Sequence, residues 1–237
     1  MLKRFFSTQI YENQCIFDEG ESHHCLHVLR CKKGEKIEII DGKGHLYQGI
    51  IQSLENKKCI IGDLQLHHYE DNGHKLTIAV CPPKNPSRLE WLLEKATEIG
   101  VHQIVLVHST RTEKFHPKMQ RYEQIILSAV KQSQQLWLPE IHIFTFDQFI
   151  INSTSSLCCI AHCMADERQS FFSVCNQELP TTILIGPEGD FTPAEIEMAI
   201  KHGYIPVHLG YSRLRTETAA IQACAWYNID KESNIQA

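Results

Sequence analysis

Apolar positions in the first third of the chain alternate with polar ones in short runs. Lys36 to Ile40, His45 to Ser53 and Lys58 to Leu66 read as β-strands, separated by Asp41-Gly42-Lys43-Gly44 and Glu55-Asn56-Lys57. An Asp-Gly pair between two such runs is a hairpin signal, because the turns that match strand twist need residues that tolerate positive φ. Short strands leave exposed edges unless they close on themselves, so a small β-barrel of about 70 residues is the natural form. Glu70-Asp71-Asn72-Gly73-His74 is a polar run with turn chemistry and ends this region. The expected organisation is a small domain over residues 1–71 and a larger one over 74–237.

Beyond the break the period changes. Leu76 to Cys81 reads as a buried strand, and Ser87-Arg88-Leu89-Glu90 as a capping box opening a helix. Leu89, Leu92, Leu93, Ala96 and Ile99 follow at helical spacing, with Gly100 at the C-terminal cap. Further strands are expected at Gln103–Val107, Ile141–Phe144, Leu157–Ala161, Thr181–Ile185 and Ile205–Leu209, and a long helix at Pro117–Leu136. Thr192-Pro193-Ala194-Glu195 is a second capping box, whose helix ends at Gly203, and Thr216–Tyr227 reads as the last helix. Strands alternating with helices predict an α/β fold with a parallel sheet covered on both faces.

Composition adds bounds. Hydrophobic residues make up 43% and charged residues 22%, ordinary for a globular chain. The net charge of -5 counts mildly against a nucleic-acid binder, but Lys84 to Lys131 holds eight Lys/Arg against five Asp/Glu and is locally basic. The start, Met-Leu-Lys-Arg-Phe-Phe, lacks the apolar run of a signal peptide, and no window approaches a membrane span. A cytoplasmic protein with no membrane association is expected, its ten cysteines reduced.

Two loops carry candidate chemistry, and both follow expected strands. One is Ile185-Gly186-Pro187-Glu188-Gly189-Asp190-Phe191; the other runs from Leu209-Gly210-Tyr211-Ser212-Arg213-Leu214-Arg215 into Thr216-Glu217-Thr218-Ala219. In open α/β sheets ligands bind at the carboxyl ends of strands. Spacing alone leaves two readings open, a ligand site or two ordinary strand-to-helix turns. The glycine patterns of dinucleotide and triphosphate sites are absent.

Ile-Gly-Pro-Glu-Gly-x-Phe followed by Leu-Gly-x-x-x-Leu-Arg-x-Glu-Thr-Ala resembles the RsmE family, the knotted SPOUT-type methyltransferases of small-subunit ribosomal RNA. The resemblance runs along the whole chain. Arg4-Phe5-Phe6 and His24 through Val28-Leu29-Arg30 are similar to the family's PUA-like barrel, and Lys95-Ala96-Thr97-Glu98-Ile99-Gly100-Val101 to its Lys-x-Thr-Glu-Leu-Gly-Val signature. Lys84, Arg88 and Gln132-Ser133 followed by Pro139 match further positions. Asp190 stands where many members have a second Gly, Ser212-Arg213 where Arg-Ile is usual, and Gln135 where Arg is common.

The resemblance implies a small N-terminal PUA-like RNA-binding barrel and a C-terminal parallel-sheet domain with a trefoil knot over Ile183 to Ala219. It implies S-adenosylmethionine as methyl donor, N3 of uridine 1498 of 16S rRNA as acceptor, and a homodimer acting on that RNA or the 30S particle. Donor binding falls to Ile185, Gly186, Pro187, Glu188, Gly189, Leu209, Gly210, Ser212, Leu214, Thr216 and Thr218. RNA binding falls to Arg4, His24, Arg30, Lys84, Arg88 and Lys95, and chemistry to Arg111, Arg215 and Glu217. Arginine is a poor base, so Arg215 serves as a cation beside a uracil anion and Arg111 as such a cation or as a phosphate contact; Glu217, which could also contact the donor or order the loop, Glu98 or solvent takes the proton. Alternatives are a knotted methyltransferase with another RNA target and a catalytically silent RNA-binding assembly protein.

Two clusters have metal-ligand chemistry, His23-His24-Cys25 with His27 and Cys31, and Cys158-Cys159 with His162 and Cys163. The adjacent ligands of the first suit no standard zinc spacing, and the second overlaps the apolar strand run Leu157 to Ala161, where Cys acts as a small hydrophobe; no metal is expected. Phe5 and Phe6 could stack on bases, but barrel core is the expectation. Trp226 is either core or part of a dimer interface.

Overall fold

The computed structural model describes residues 2–55, 58–70, 75–164, 167–175 and 178–233. The chain divides into two compact units, residues 1–73 with 130–138, and residues 74–129 with 139–237. The expected turns at Glu55-Asn56-Lys57 and Glu70–His74 lie partly outside the described residues.

The first unit holds β1 (Arg4–Phe6), β2 (Cys15–Ile16), α1 (Glu19–His23) with a π-helical turn at His24–Val28, β3 (Lys36–Ile40), β4 (His45–Glu55) and β5 (Lys58–Tyr69). Their sheet order is β1-β3-β4-β5-β2. The sheet curls into a half-barrel with no ladder between β1 and β2. There the Ser7 hydroxyl donates to the Ile16 carbonyl at 3.0 Å. Alternation does its expected work: Ile37 and Ile39 are buried with Phe5, Phe17, Cys25, Cys59 and Ile61, while Lys36 is exposed. Phe5 lies 5.1 Å from Phe17, ring centre to ring centre, so it belongs to this core. The β3–β4 turn is tied by Asp41, whose Oδ1 accepts from the Lys43 amide at 2.8 Å. Gly44 there has φ +89°, and a Cβ would fall 2.3 Å from the Glu70 carbonyl oxygen, so no other residue fits.

The second unit is built on seven strands: β6 (Leu76–Val80), β7 (Gln103–His108), β8 (Glu140–Thr145), β9 (Leu157–Ala161), β10 (Gln169–Ser170), β11 (Thr181–Ile185) and β12 (Ile205–His208). The order is β10-β12-β9-β11-β6-β7-β8, and every neighbouring pair is parallel. β6 and β11 are buried at every position, as central strands covered on both faces must be. The helices are α2 (Pro86–Ile99), α3 (Met119–Ser133, of which residues 130–133 count with the first unit), α4 (Phe146–Asn152), α5 (Phe171–Val174), α6 (Pro193–Lys201) and α7 (Thr216–Ser233). After β12 the chain returns past β9 and β11 to lay α7 on α2, β6 and β11.

Several boundaries differ from expectation for local reasons. α2 is capped by Asn85, not Ser87: the Asn85 side chain accepts from the Ser87 amide at 2.9 Å, and Pro86 takes the first turn. α3 stops at Ser133 because Gln134 adopts φ +63°, and Leu136 turns into a core with Ile40 and Val130 instead of extending the helix. α4 was not anticipated, although Thr145 and Gln148 form a reciprocal capping box there. The box at Thr192 and Glu195 forms as expected.

Candidate functional site

Three strand ends define the site. β11 ends at Ile185, β9 at Ala161 and β12 at His208, with β9 between the other two. Because they run parallel, their carboxyl ends open at one edge, where an α/β sheet leaves a crevice. A cavity of about 330 Å³ lies there. Ile185, Gly186, Pro187, Glu188 and Asp190 line it from the first loop, and Leu209, Gly210, Ser212, Arg213, Leu214, Arg215, Thr216 and Ala219 from the second segment. Ala161, His162, Cys163, Arg168, Val207 and His208 supply the rest.

The loops are held by named bonds. The buried Thr216 hydroxyl donates to the Gly186 carbonyl at 3.0 Å, joining the two segments at the cavity wall. Glu188 accepts from the Lys84 amide at 3.1 Å, which ties the first loop to the segment after β6. Gly210 has φ +112°, a conformation that a side chain would strain.

Asp190 explains itself. Its φ is +61°, the left-handed region that glycine enters freely and that Asp tolerates better than most residues. Its carboxylate accepts from the Cys163 amide at 2.8 Å and from its neighbour Phe191 at 2.8 Å. The departure from glycine therefore keeps the turn and adds a bridge to the segment after β9.

The structure separates some residues that the sequence grouped. Gly189 and Thr218 do not line the cavity: Gly189 faces the Arg111 side chain and Thr218 is exposed on α7. Arg111 is not at the wall either. Its Nη1 donates to the carbonyls of Gly189 at 2.8 Å and Phe191 at 3.3 Å, so it clasps the first loop from outside. Glu217 is buried at 8% exposure, outside the cavity lining, with Oε1 3.5 Å from Arg88 Nε. Of the three residues expected to carry chemistry, Arg215 alone lines the cavity, and it is exposed.

The expected RNA-binding cations are mostly ion-paired. Arg4 donates through Nε and Nη2 to Glu38 at 3.1 and 2.9 Å, with its side chain 12% exposed, so it is turned into the fold. Lys84 pairs with Glu113 at 2.8 Å, and Lys95 with Glu94 and Glu98 at 2.7 and 2.8 Å. His24 lies edge-on to Phe5, and burial together with the nearby Lys131 ammonium lowers its pKa, which favours the neutral ring. Arg30 is exposed.

Burial pushes the Cys81 thiol up to about 11 and the Cys159 thiol up to about 12, as expected of small hydrophobes in a core. Among the described residues no group of three or more His, Cys, Asp or Glu is placed to hold a metal ion. No helix among them is long and apolar enough to cross a membrane. Glu195 shows how the site is braced. Burial raises its pKa, but the Thr110 amide and the Thr192 amide and hydroxyl all donate to it and hold it below the usual carboxylate value. The Thr110 bond, at 2.8 Å, fixes the backbone next to Arg111.

Sequence reasoning missed Arg168 and weighed His162 and Cys163 only as metal ligands, not as part of this site. Their signal was positional: they follow a parallel strand, but only the sheet order shows that β9 lies between the two ligand loops.

Comparison with known proteins agrees with this geometry. Residues 70–228 match the RNA methyltransferase domain family, and residues 17–64 match the RNA methyltransferase PUA domain. The chain is 29% identical to the ribosomal RNA small subunit methyltransferase E of Synechocystis sp., over 95% of this chain and 76% of that protein. A probable rRNA-methyltransferase from Porphyromonas gingivalis shares the fold with a TM-score of 0.89 and 33% identity, over 100% of both chains. The fold is also that of ribosomal RNA small subunit methyltransferase E from Neisseria gonorrhoeae, solved bound to S-adenosyl methionine, with a TM-score of 0.83, 24% identity and coverage of 95% and 96%. The half-barrel, the parallel sheet with its returning C-terminal helix, and the matched families together place the chain in the RsmE family of RNA methyltransferases.

Proposed function

We propose that this protein transfers the methyl group of S-adenosylmethionine to N3 of a uridine in small-subunit ribosomal RNA, the uridine that the family modifies at 1498 of 16S rRNA. The observation that carries this reading is the cavity at the ends of β9, β11 and β12, with its two family loops pinned by Thr216 and Gly186. Its volume of about 330 Å³ lies within the range of small-ligand sites. Ile185, Val207, Leu209 and Leu214 offer apolar wall for an adenosine, and loop backbone groups offer hydrogen bonds.

S-adenosylmethionine supplies an electrophilic methyl group on a sulfonium when bound. The chain's task is to set the acceptor nitrogen in line with that bond, and most of the rate gain comes from this positioning. Ile185, Gly186, Leu209 and Leu214 hold the adenosine. Arg215, exposed at the wall, stabilises the negative charge that uracil gains as its N3 proton leaves. Arg111 acts as a positioning residue through the carbonyls it clasps. Glu217 and Glu98 are each ion-paired, to Arg88 and Lys95, so the proton passes to solvent.

RNA binding is assigned to the N-terminal domain, residues 1–71, with Arg30 and His24, and to Lys84, Arg88 and Lys95 in the methyltransferase domain, residues 74–237. The target base must leave its stack to be reached, and phosphate contacts fix the register. The protein works in the cytoplasm as a homodimer. Phe172 and Ile229 are 45% and 54% exposed, and Trp226 stands against Phe172 at 5.8 Å; these are the apolar groups that a second copy would cover.

Mass spectrometry of rRNA nucleosides from cells lacking the gene tests the reading. Loss of 3-methyluridine, restored by the gene, is expected; its persistence would sink the proposal.

A further inference from the structure

Arg168 lines the donor cavity, yet no family motif quoted above contains it. It lies between β9 and β11, immediately before β10. Its Nη1 donates to the His162 carbonyl, which anchors one end of the guanidinium beside the end of β9. Its Nε is buried, and among the described residues it meets no acceptor. A buried N–H of a cation without a partner is costly, so the site is suited to an acceptor that the described residues do not provide.

The two acids among the described residues that line the cavity are already engaged. Asp190 is bound by the Cys163 and Phe191 amides and Glu188 by the Lys84 amide. Arg213 and Arg215 also line the cavity but are exposed, where water competes for their charge. Arg168 is the half-buried guanidinium of the set. An anchored guanidinium with a free edge matches a carboxylate, whose two oxygens accept parallel N–H bonds.

Resting on the donor-pocket reading above, we infer that Arg168 binds the carboxylate of the donor's amino-acid end and so sets how deep the donor sits. It is a specificity residue for donors that carry that carboxylate. The carboxylate is the donor's single anionic group, and without it the buried Nε keeps no partner among the described residues.

Calorimetry with three ligands tests this: S-adenosylmethionine, its decarboxylated analogue, and methylthioadenosine, which lacks the amino-acid end altogether. The wild-type protein should bind S-adenosylmethionine about tenfold or more tighter than the decarboxylated analogue, the size expected for a charge-assisted pair. In Arg168→Ala that preference should vanish while methylthioadenosine affinity stays as in wild type; Arg168→Lys should restore part of it. Equal binding of both donors by wild type, or a preference retained in Arg168→Ala, overturns the inference and leaves the donor pocket standing. So does a variant that binds the donor normally but has lost affinity for ribosomal RNA, since the partner would then be a phosphate. If none of the three ligands binds wild type, the donor pocket itself fails and this inference with it. The wild-type comparison needs no variant, so a poorly folding Arg168→Ala does not weaken the test.

Discussion

The Thr216 hydroxyl donates to the Gly186 carbonyl across 3.0 Å, and this buried bond joins the two loops that form the donor cavity. Thr216→Val keeps the side-chain shape and removes the donor, leaving a buried carbonyl without its partner. The cost should be about 1–3 kcal/mol of stability. Because the bond holds the cavity wall, donor affinity should fall about tenfold as well. Denaturant unfolding and calorimetry read the two effects separately. Unchanged donor affinity in a destabilised variant would show that the bond braces the fold without shaping the cavity.

Arg88 and Glu217 couple the start of α2 to the first turn of α7 at 3.5 Å. Glu217 is the more buried partner, so Arg88→Ala, which strands a carboxylate, should cost about 1–2 kcal/mol. Arg88→Ala combined with Glu217→Gln should cost less than the sum of the single changes, because the second removes the charge that the first leaves unpaired. Additive losses in a double-mutant cycle would mean that the two side chains do not interact.

Asp190 separates backbone from side chain. Its φ of +61° suits glycine and penalises alanine, while its carboxylate bridges to the Cys163 amide at 2.8 Å. Asp190→Gly loses the bridge alone; Asp190→Ala loses it and adds strain of about 1 kcal/mol. The melting temperature should therefore fall further for Ala than for Gly. The reverse order would argue that the turn is not left-handed in solution.

Glu195 gives the site an acid-sensitive brace. Despite burial, donors from Thr110 and Thr192 hold its folded pKa below the ordinary 4.5. A depressed carboxylate contributes stability that is complete above the unfolded value and is lost as pH falls through the lower folded one. Glu195→Gln should be less stable than wild type near neutral pH, and the gap should narrow as pH is lowered from about 7 to about 3. A constant gap in melting temperature across that range would rule out the titration.

Much of this was legible in the sequence where local chemistry decides the outcome. Leu157–Ala161 and Thr181–Ile185 form strands at the expected residues, and the Thr192–Glu195 box opens its helix as read. The two motif loops do line one cavity. Non-local facts were less visible. No spacing places β9 between β11 and β12, so Arg168 went unnoticed and His162 and Cys163 were not linked to the two loops. Side-chain direction was also hidden. Glu217 follows Thr216 directly, yet one turns to Arg88 and the other to Gly186, as successive positions on a helix must. Arg111 was expected at the chemistry and clasps carbonyls, because the segment after β7 passes outside the first loop.

The most direct test is to incubate the purified protein with S-adenosylmethionine and small ribosomal subunits that lack the modification, then analyse the RNA by nucleoside mass spectrometry. The structure and its family predict 3-methyluridine at a single position of the small-subunit RNA, with Arg215→Ala markedly slower at saturating donor. Absence of methyl transfer, or a methyl group on another nucleoside, would contradict the account.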